Sequence, residues 1–288
     1  MFGKFVFALV AAAFLPAMMP VEPQPEVLTR TGKWVADYDR DGCHLLAEFG
    51  ADDAKVTLRF TRYDLGDKFD LSFYGKRLRL RRLDVSAKID FGLSNKPVQA
   101  SGLTGNVNGM PALFFNSVRL DGWEPKTEKE RPSAVTPEQE GSVNGVTLAI
   151  KGEPAFRLEF GSLAKPFASM RDCMTLLVRS WGYDPEVQAT LRRRPKPSTP
   201  PIGWLDPADY PSEASASGRN GLVQFRMDID EQGKLTGCYI LARTIPDDFD
   251  KVTCRGVMRR GKFVPALDAQ GKPVRSYSVE KVLWRSSR

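Results

Sequence analysis

The sequence is poor in the residues that most often carry out chemistry. It holds one histidine, His44, in 288 residues. A Ser-His-Asp triad would have to use it, and no Gly-x-Ser-x-Gly context accompanies it. A zinc site needs three or four ligands at suitable spacing, which one histidine beside Cys43 does not supply. There is no phosphate-cradling loop and no dinucleotide fingerprint. Asp228, Asp230, Gln232 and Gly233 imitate the first half of a calcium loop, but its closing position falls on Tyr239 instead of a glutamate. Strand alternation already accounts for both aspartates. Carboxylates are plentiful, yet nothing brings two of them together as a glycosidase pair requires. The expectation is a protein that is not an enzyme and needs no cofactor or metal.

Long apolar runs are also scarce. The longest, Phe5 to Leu15 (FVFALVAAAFL), is shorter than the roughly 20 residues a spanning helix needs. Extending it to Pro20 puts Pro16 inside it. Lys4 before the run and Ala11, Ala13 and Ala17 in or after it give the order of a secretory signal, cleaved near 13–20. Left uncleaved, the segment would anchor the chain in the inner membrane. No cysteine follows the run, which argues against a lipid anchor. The four cysteines are Cys43, Cys173, Cys238 and Cys254, with no C-x-x-C pair among them. Export implies an oxidising compartment, the periplasm, and therefore disulfides. Of the three connectivities, Cys43–Cys173 with Cys238–Cys254 keeps each bond inside one proposed domain.

What the chain does have is strand patterning in its first half. Net charge is +7, and the surplus reads mainly as a solvated surface. Residues 1–22 are signal and leader, and 22–28 read as flexible. Residues 30–184 read as a β-rich domain. Val56, Leu58 and Phe60 alternate with polar neighbours, as do Phe69, Leu71 and Phe73. Leu78 and Leu80 alternate with Arg77, Arg79 and Arg81, which suggests a strand with a basic stripe. No aromatics interleave that stripe, so it is not a nucleic-acid surface. Residues 124–140 read as an exposed charged loop. Val146 to Ile150 and Phe156 to Phe160 are further strands. Pro166 opens a helix and Gly182 ends it; Phe167, Met170, Met174, Leu177 and Trp181 form its apolar face.

Seven prolines lie in 185–211. Residues 185–206, with Arg192, Arg193, Arg194 and Lys196, read as an extended Pro/Arg-rich linker. Its basic cluster is a candidate contact for anionic cell-wall polymer or lipid. Beyond it, Val223, Phe225, Met227 and Ile229 alternate along a strand, and Gly233 suits the turn that follows. Leu235 to Ala242 is the second strand. Asp247 or Asp248 caps a helix reaching Arg260, with Phe249, Val252 and Gly256 on its inner face. Val274 to Trp284 is the last strand. The order is β-β-α-β, preceded by a helical stretch near Ser212–Ser217.

Tyr210-Pro211, Ala214 and Gly218, then Gly221-Leu222-Val223, Asp230-Glu231-Gln232-Gly233, Phe249-Asp250, Phe263-Val264-Pro265-Ala266 and Gly271-Lys272-Pro273-Val274 follow one another at consistent spacing. This ordered set resembles the C-terminal domain of the TonB energy-transducer family over residues 207–288. Arg243-Thr244-Ile245 departs from the family's Ser-Ser-Gly after the second strand. The phrase Ser180-Trp181-Gly182-Tyr183-Asp184-Pro185 after Cys173 is similar to Cys-paired β domains that precede TonB-like domains in some alphaproteobacterial proteins. The fold class is thus α+β: a mainly antiparallel β domain closed by one helix, a linker, and a small TonB-like domain.

The resemblance implies TonB-dependent transport, with a segment of an outer-membrane receptor captured by strand addition at a sheet edge. The edge expected here is Tyr277, Ser278, Val279, Glu280, Lys281, Val282 and Leu283. Tyr277, Val279, Lys281 and Leu283 share one face, with the others opposite. Completing the sheet, or pairing in a homodimer, are the competing uses of this strand. The family's full transducers couple to a motor through a histidine on an uncleaved N-terminal helix. Residues 5–20 hold none, so the alternative is a stand-alone periplasmic interaction module not coupled to the proton-motive force.

Overall fold

The computed structural model describes residues 24–286 except Asn95, Lys126, Glu128, Lys129, Arg131 and residues 244–247. The expected signal segment therefore lies outside the described residues. The first half is built from β1 (Glu26–Thr29), β2 (Val35–Tyr38), β3 (Cys43–Phe49), β4 (Val56–Arg62), β5 (Phe69–Tyr74), β6 (Asp84–Asp90), β7 (Val98–Val107), β8 (Met110–Val118), helix α1 (Pro137–Ser142), β9 (Gly145–Ile150), β10 (Phe156–Glu159) and helix α2 (Ala164–Ser180). Its ten strands form one sheet in the order β1-β10-β9-β6-β7-β8-β5-β4-β3-β2. β1 runs parallel to β10, and just past its end Arg30 bridges Phe49 while the Thr31 amide donates to the Glu48 carbonyl. The sheet therefore curls back onto itself.

Alternation along these strands fills the inside of the curl. Leu58, Phe60, Leu71, Phe73 and Phe115 are fully buried there. α2 covers the opening: Phe167 sits 5.3 Å from Phe60 and 5.9 Å from Phe69, edge-to-face in both cases. Cys43–Cys173 fastens α2 to β3 with Cα atoms 6.0 Å apart. Gly182, at φ +84°, follows α2 as the sequence leads one to expect.

Three local expectations are corrected. Residues 26–28 of the expected flexible leader lie in β1, because Leu28 is buried against the sheet. Leu78 and Leu80 do not lie on a strand. Lys76–Leu78 is a single 3-10 turn that buries Leu78, and Arg77 lies over the Phe156 ring at 4.8 Å. Within the expected loop 124–140, Thr136 and Gln139 form a reciprocal capping box that starts α1. Glu140 of α1 is buried and paired with Arg171.

The second half comprises α3 (Pro185–Ala189), β11 (Lys196–Pro197), α4 (Ser212–Ala216), β12 (Gly221–Ile229), β13 (Leu235–Arg243), α5 (Asp248–Arg260), β14 (Phe263–Val264), β15 (Ala266–Leu267), β16 (Pro273–Val274) and β17 (Ser276–Trp284). The central sheet has the order β13-β12-β17, all antiparallel. Gly233 turns the β12–β13 hairpin at φ +81°, and a Cβ there would lie 2.1 Å from the Phe263 carbonyl oxygen, so only glycine fits. The Asp230 carboxylate accepts from the Gln232 and Lys234 amides in this turn, which is the use its sequence position finds. α5 covers one face of the sheet with Phe249 and Val257, and Cys238–Cys254 ties it to β13.

The stretch 185–206, read from its prolines as an extended linker, packs against the rest of the second half at several points. Gln188 of α3 is buried against Arg275 and Ser276. β11 pairs with β14, and Arg193 bridges Leu267. Trp204 is buried in the second core beside Phe263. Proline removes donors but leaves carbonyls and the intervening apolar side chains free to pack.

Candidate functional site

β17 pairs with β12 along one side, from Ser276 opposite Ile229 to Trp284 opposite Gly221, and with no other strand among the described residues. It is an edge by main-chain pairing. The seven residues singled out from the sequence all lie on it, and its faces divide as the alternation demands. Tyr277 and Val279 pack into the first core, while Val282 and Trp284 pack into the second. One strand thus serves as the plate between two cores.

On the Tyr277 face the contacts are aromatic and ionic. Tyr277 meets Trp181 edge-to-face at 5.4 Å and Tyr183 at 5.2 Å. Arg226 of β12 lies between the rings of Trp181 (4.3 Å) and Tyr239 (4.4 Å), and its Nε donates to Asp228 at 3.0 Å. The Tyr183 hydroxyl donates to the Ser276 carbonyl at 3.1 Å, and Gln188 Nε2 donates to the Arg275 carbonyl at 3.0 Å. Burial pushes the Tyr183 and Tyr277 hydroxyls well above the ordinary phenol pKa. Further along, Lys281 pairs with Asp70 and also donates to Asn116 at 2.7 Å. Burial lowers the Lys281 pKa and Asp70 opposes that. Arg285 makes a two-pronged pair with Asp84, at 2.6 and 3.1 Å. A polar cavity of about 360 Å³ remains between the halves, lined by Asp70, Asn116, Gln224 and Glu280 among others.

The other side of β17 is different. A groove of about 700 Å³ runs beside residues 280–286, walled by β17, by α5 and by the segment 201–210. Its lining is mostly apolar: Ile202, Leu205, Tyr210, Val257, Val282 and Trp284. Ile202 is 88% exposed, the most open of the large apolar side chains among the described residues. Its floor is rigid. Trp284 donates from Nε1 to Thr253 Oγ1 at 2.9 Å, and its ring lies 5.6 Å from Tyr210 and 5.9 Å from Phe249.

The first part of the strand, at Ser276 and Tyr277, is therefore covered by Tyr183, Gln188 and Trp181, while the part from Glu280 onward borders the groove. Sequence reasoning missed those three covering residues and the groove wall. The available signals were the Trp-Gly-Tyr phrase after α2 and the apolar Ile202, Trp204 and Leu205 set among prolines. The basic cluster is split: Arg193 donates to the Pro265 carbonyl, while Arg192, Arg194 and Lys196 are exposed. The four cysteines are joined in the pairing that keeps each bond within one half of the chain.

His44 of β3 is buried, with Nδ1 3.0 Å from Thr61 Oγ1. No group of three or more metal-ligating side chains comes together among the described residues. No described helix is long and apolar enough to cross a membrane. No curated protein matches the chain. Residues 206–285 match the family model described as Gram-negative bacterial TonB protein C-terminal, and this segment, with its β-β-α-β order, is a TonB-type C-terminal domain.

Proposed function

We propose that the chain is a periplasmic binding protein of TonB-dependent transport that captures an extended segment of an outer-membrane receptor by adding it beside β17. The observation that carries this reading is the groove along the unpaired side of Glu280–Trp284. An edge strand offers main-chain donors and acceptors to a partner strand, and a flanking apolar groove takes its alternate side chains. The TonB-type domain supports the partner class, since it is a protein-interaction domain and not an enzyme family. The secretory signal expected at the N-terminus agrees with it.

The test is calorimetry on the full chain with a synthetic peptide copying the periplasm-facing segment of an outer-membrane receptor. Saturable one-to-one binding is expected, weakened about tenfold by Ile202→Asp, which places a charge where apolar burial would otherwise contribute. No binding, or binding indifferent to Ile202, contradicts the reading. A homodimer paired through β17 would consume the same edge and would leave no one-to-one site.

One observation favours a second reading, a stand-alone module uncoupled from the proton-motive force. The only histidine of the sequence is buried in the β-rich half beside Thr61 and does not lie on the N-terminal apolar segment. The two readings part at residues 1–23, outside the described residues.

A further inference from the structure

Four charged side chains line the groove beside β17: Asp206, Glu280, Lys281 and Arg285. The two cations are already neutralised by the β-rich half, Lys281 by Asp70 and Arg285 by Asp84. The two carboxylates are not. Asp206 is exposed and accepts only backbone amides of the turn it caps, among them Ala208 at 2.8 Å, and Glu280 accepts the Ser278 hydroxyl at 3.1 Å; neither has a cation within ion-pair distance among the described residues. In a chain of net charge +7, the groove that borders the open edge of β17 is left negative.

Glu280 lies at the heart of this imbalance. It lines both the groove and the polar cavity between the halves, and it stands on the strand face shared with Ser278, Val282 and Trp284. Burial raises its carboxyl pKa against the opposing effect of Ser278, as befits a half-buried acid without a cation. A segment laid along β17 would strip more water from this carboxylate. That costs free energy unless the segment brings a positive donor to the same place. Directly opposed residues in a strand pair share a face, with Cβ atoms about 5 Å apart, and the next residues on that face are two positions away.

Resting on the strand-addition reading, we propose that this groove selects extended segments in which a lysine or arginine faces Glu280 and apolar residues stand two and four positions further along, facing Val282 and Trp284. Opposite charges across a strand pair favour association and like charges oppose it by similar amounts. Lysine at the facing position should therefore bind about three- to tenfold more tightly than glutamate there, with glutamine between.

The probes are three nine-residue peptides with the same alternating apolar frame, carrying Lys, Gln or Glu at one interior position. Each is scanned through that position and its neighbours and titrated into the full chain, wild type, Glu280→Gln and Glu280→Lys. Retention of the thermal midpoint shows that the variants fold. The expected order is Lys, Gln, Glu for the wild type, flattened by E280Q and reversed by E280K. If the peptides bind without charge preference, or keep the same order in E280K, the assignment to Glu280 is overturned while strand addition stands. If none of them binds, both fall.

Discussion

His44 shows what burial does to a single titrating group in this molecule. Its pKa falls from 6.5 to about 4, first through burial, then through the nearby charge of Arg59, with Asp39 opposing. The folded protein therefore holds a neutral imidazole where the unfolded chain would already be protonated. The stability this contributes is complete above pH 6.5 and is lost as pH falls from there to about 4. At most it amounts to about 3 kcal/mol. Urea unfolding at pH 7 and pH 4.5 should show that loss, and His44→Gln, which does not titrate, should shrink it. An unchanged pH slope in the variant would assign the loss to other groups. Its polar surroundings are those of a packed sheet residue: the Thr61 hydroxyl lies 3.0 Å from Nδ1 and the Asp39 carboxylate 4.0 Å from Nε2.

At the scale of elements, β17 is the informative piece. Alternation turns Tyr277 and Val279 to one core and Val282 and Trp284 to another, so the strand is held on both faces while one side of its backbone stays unpaired. Tyr277→Ala should remove the ring between Trp181 and Tyr183 and cost about 3 kcal/mol of unfolding free energy. A change below about 0.5 kcal/mol would mean that the two halves barely lean on each other. The strand's existence, its end at Trp284 and the identity of its two faces were legible from period-2 patterning and from the ordered family motifs, whereas the expected start at Val274 belongs to β16. What lay against those faces was not. Asp70, Asp84 and Trp181 come from elements far away in sequence, and their pairing is a property of packing that no local period encodes. The proline-rich stretch misled for a related reason. Pro195, Pro197 and Pro200 signal an extended backbone correctly, whereas Pro201 opens a 3-10 turn; and an extended backbone can also pair, as β11 does with β14. The Leu78–Leu80 stretch failed because two alternating leucines fit a 3-10 turn as well as a strand.

For the whole molecule, the consequence is one body built on two cores. The curled sheet binds the TonB-type domain through the stack at Arg226 and Tyr277 and the ion pairs at Lys281 and Arg285. It thereby fixes where the groove points and neutralises the cations beside it. Under the proposed strand addition the β-rich half belongs to the binding arrangement, since it covers the start of β17 and leaves the end open. Hydrogen exchange of the full chain, with and without a receptor-segment peptide, tests this account most directly. Strand addition predicts that backbone amides in Glu280–Trp284 gain protection while those of β13, at the opposite edge, do not change. Protection that appears at β13 or elsewhere, with β17 unaffected, would contradict it.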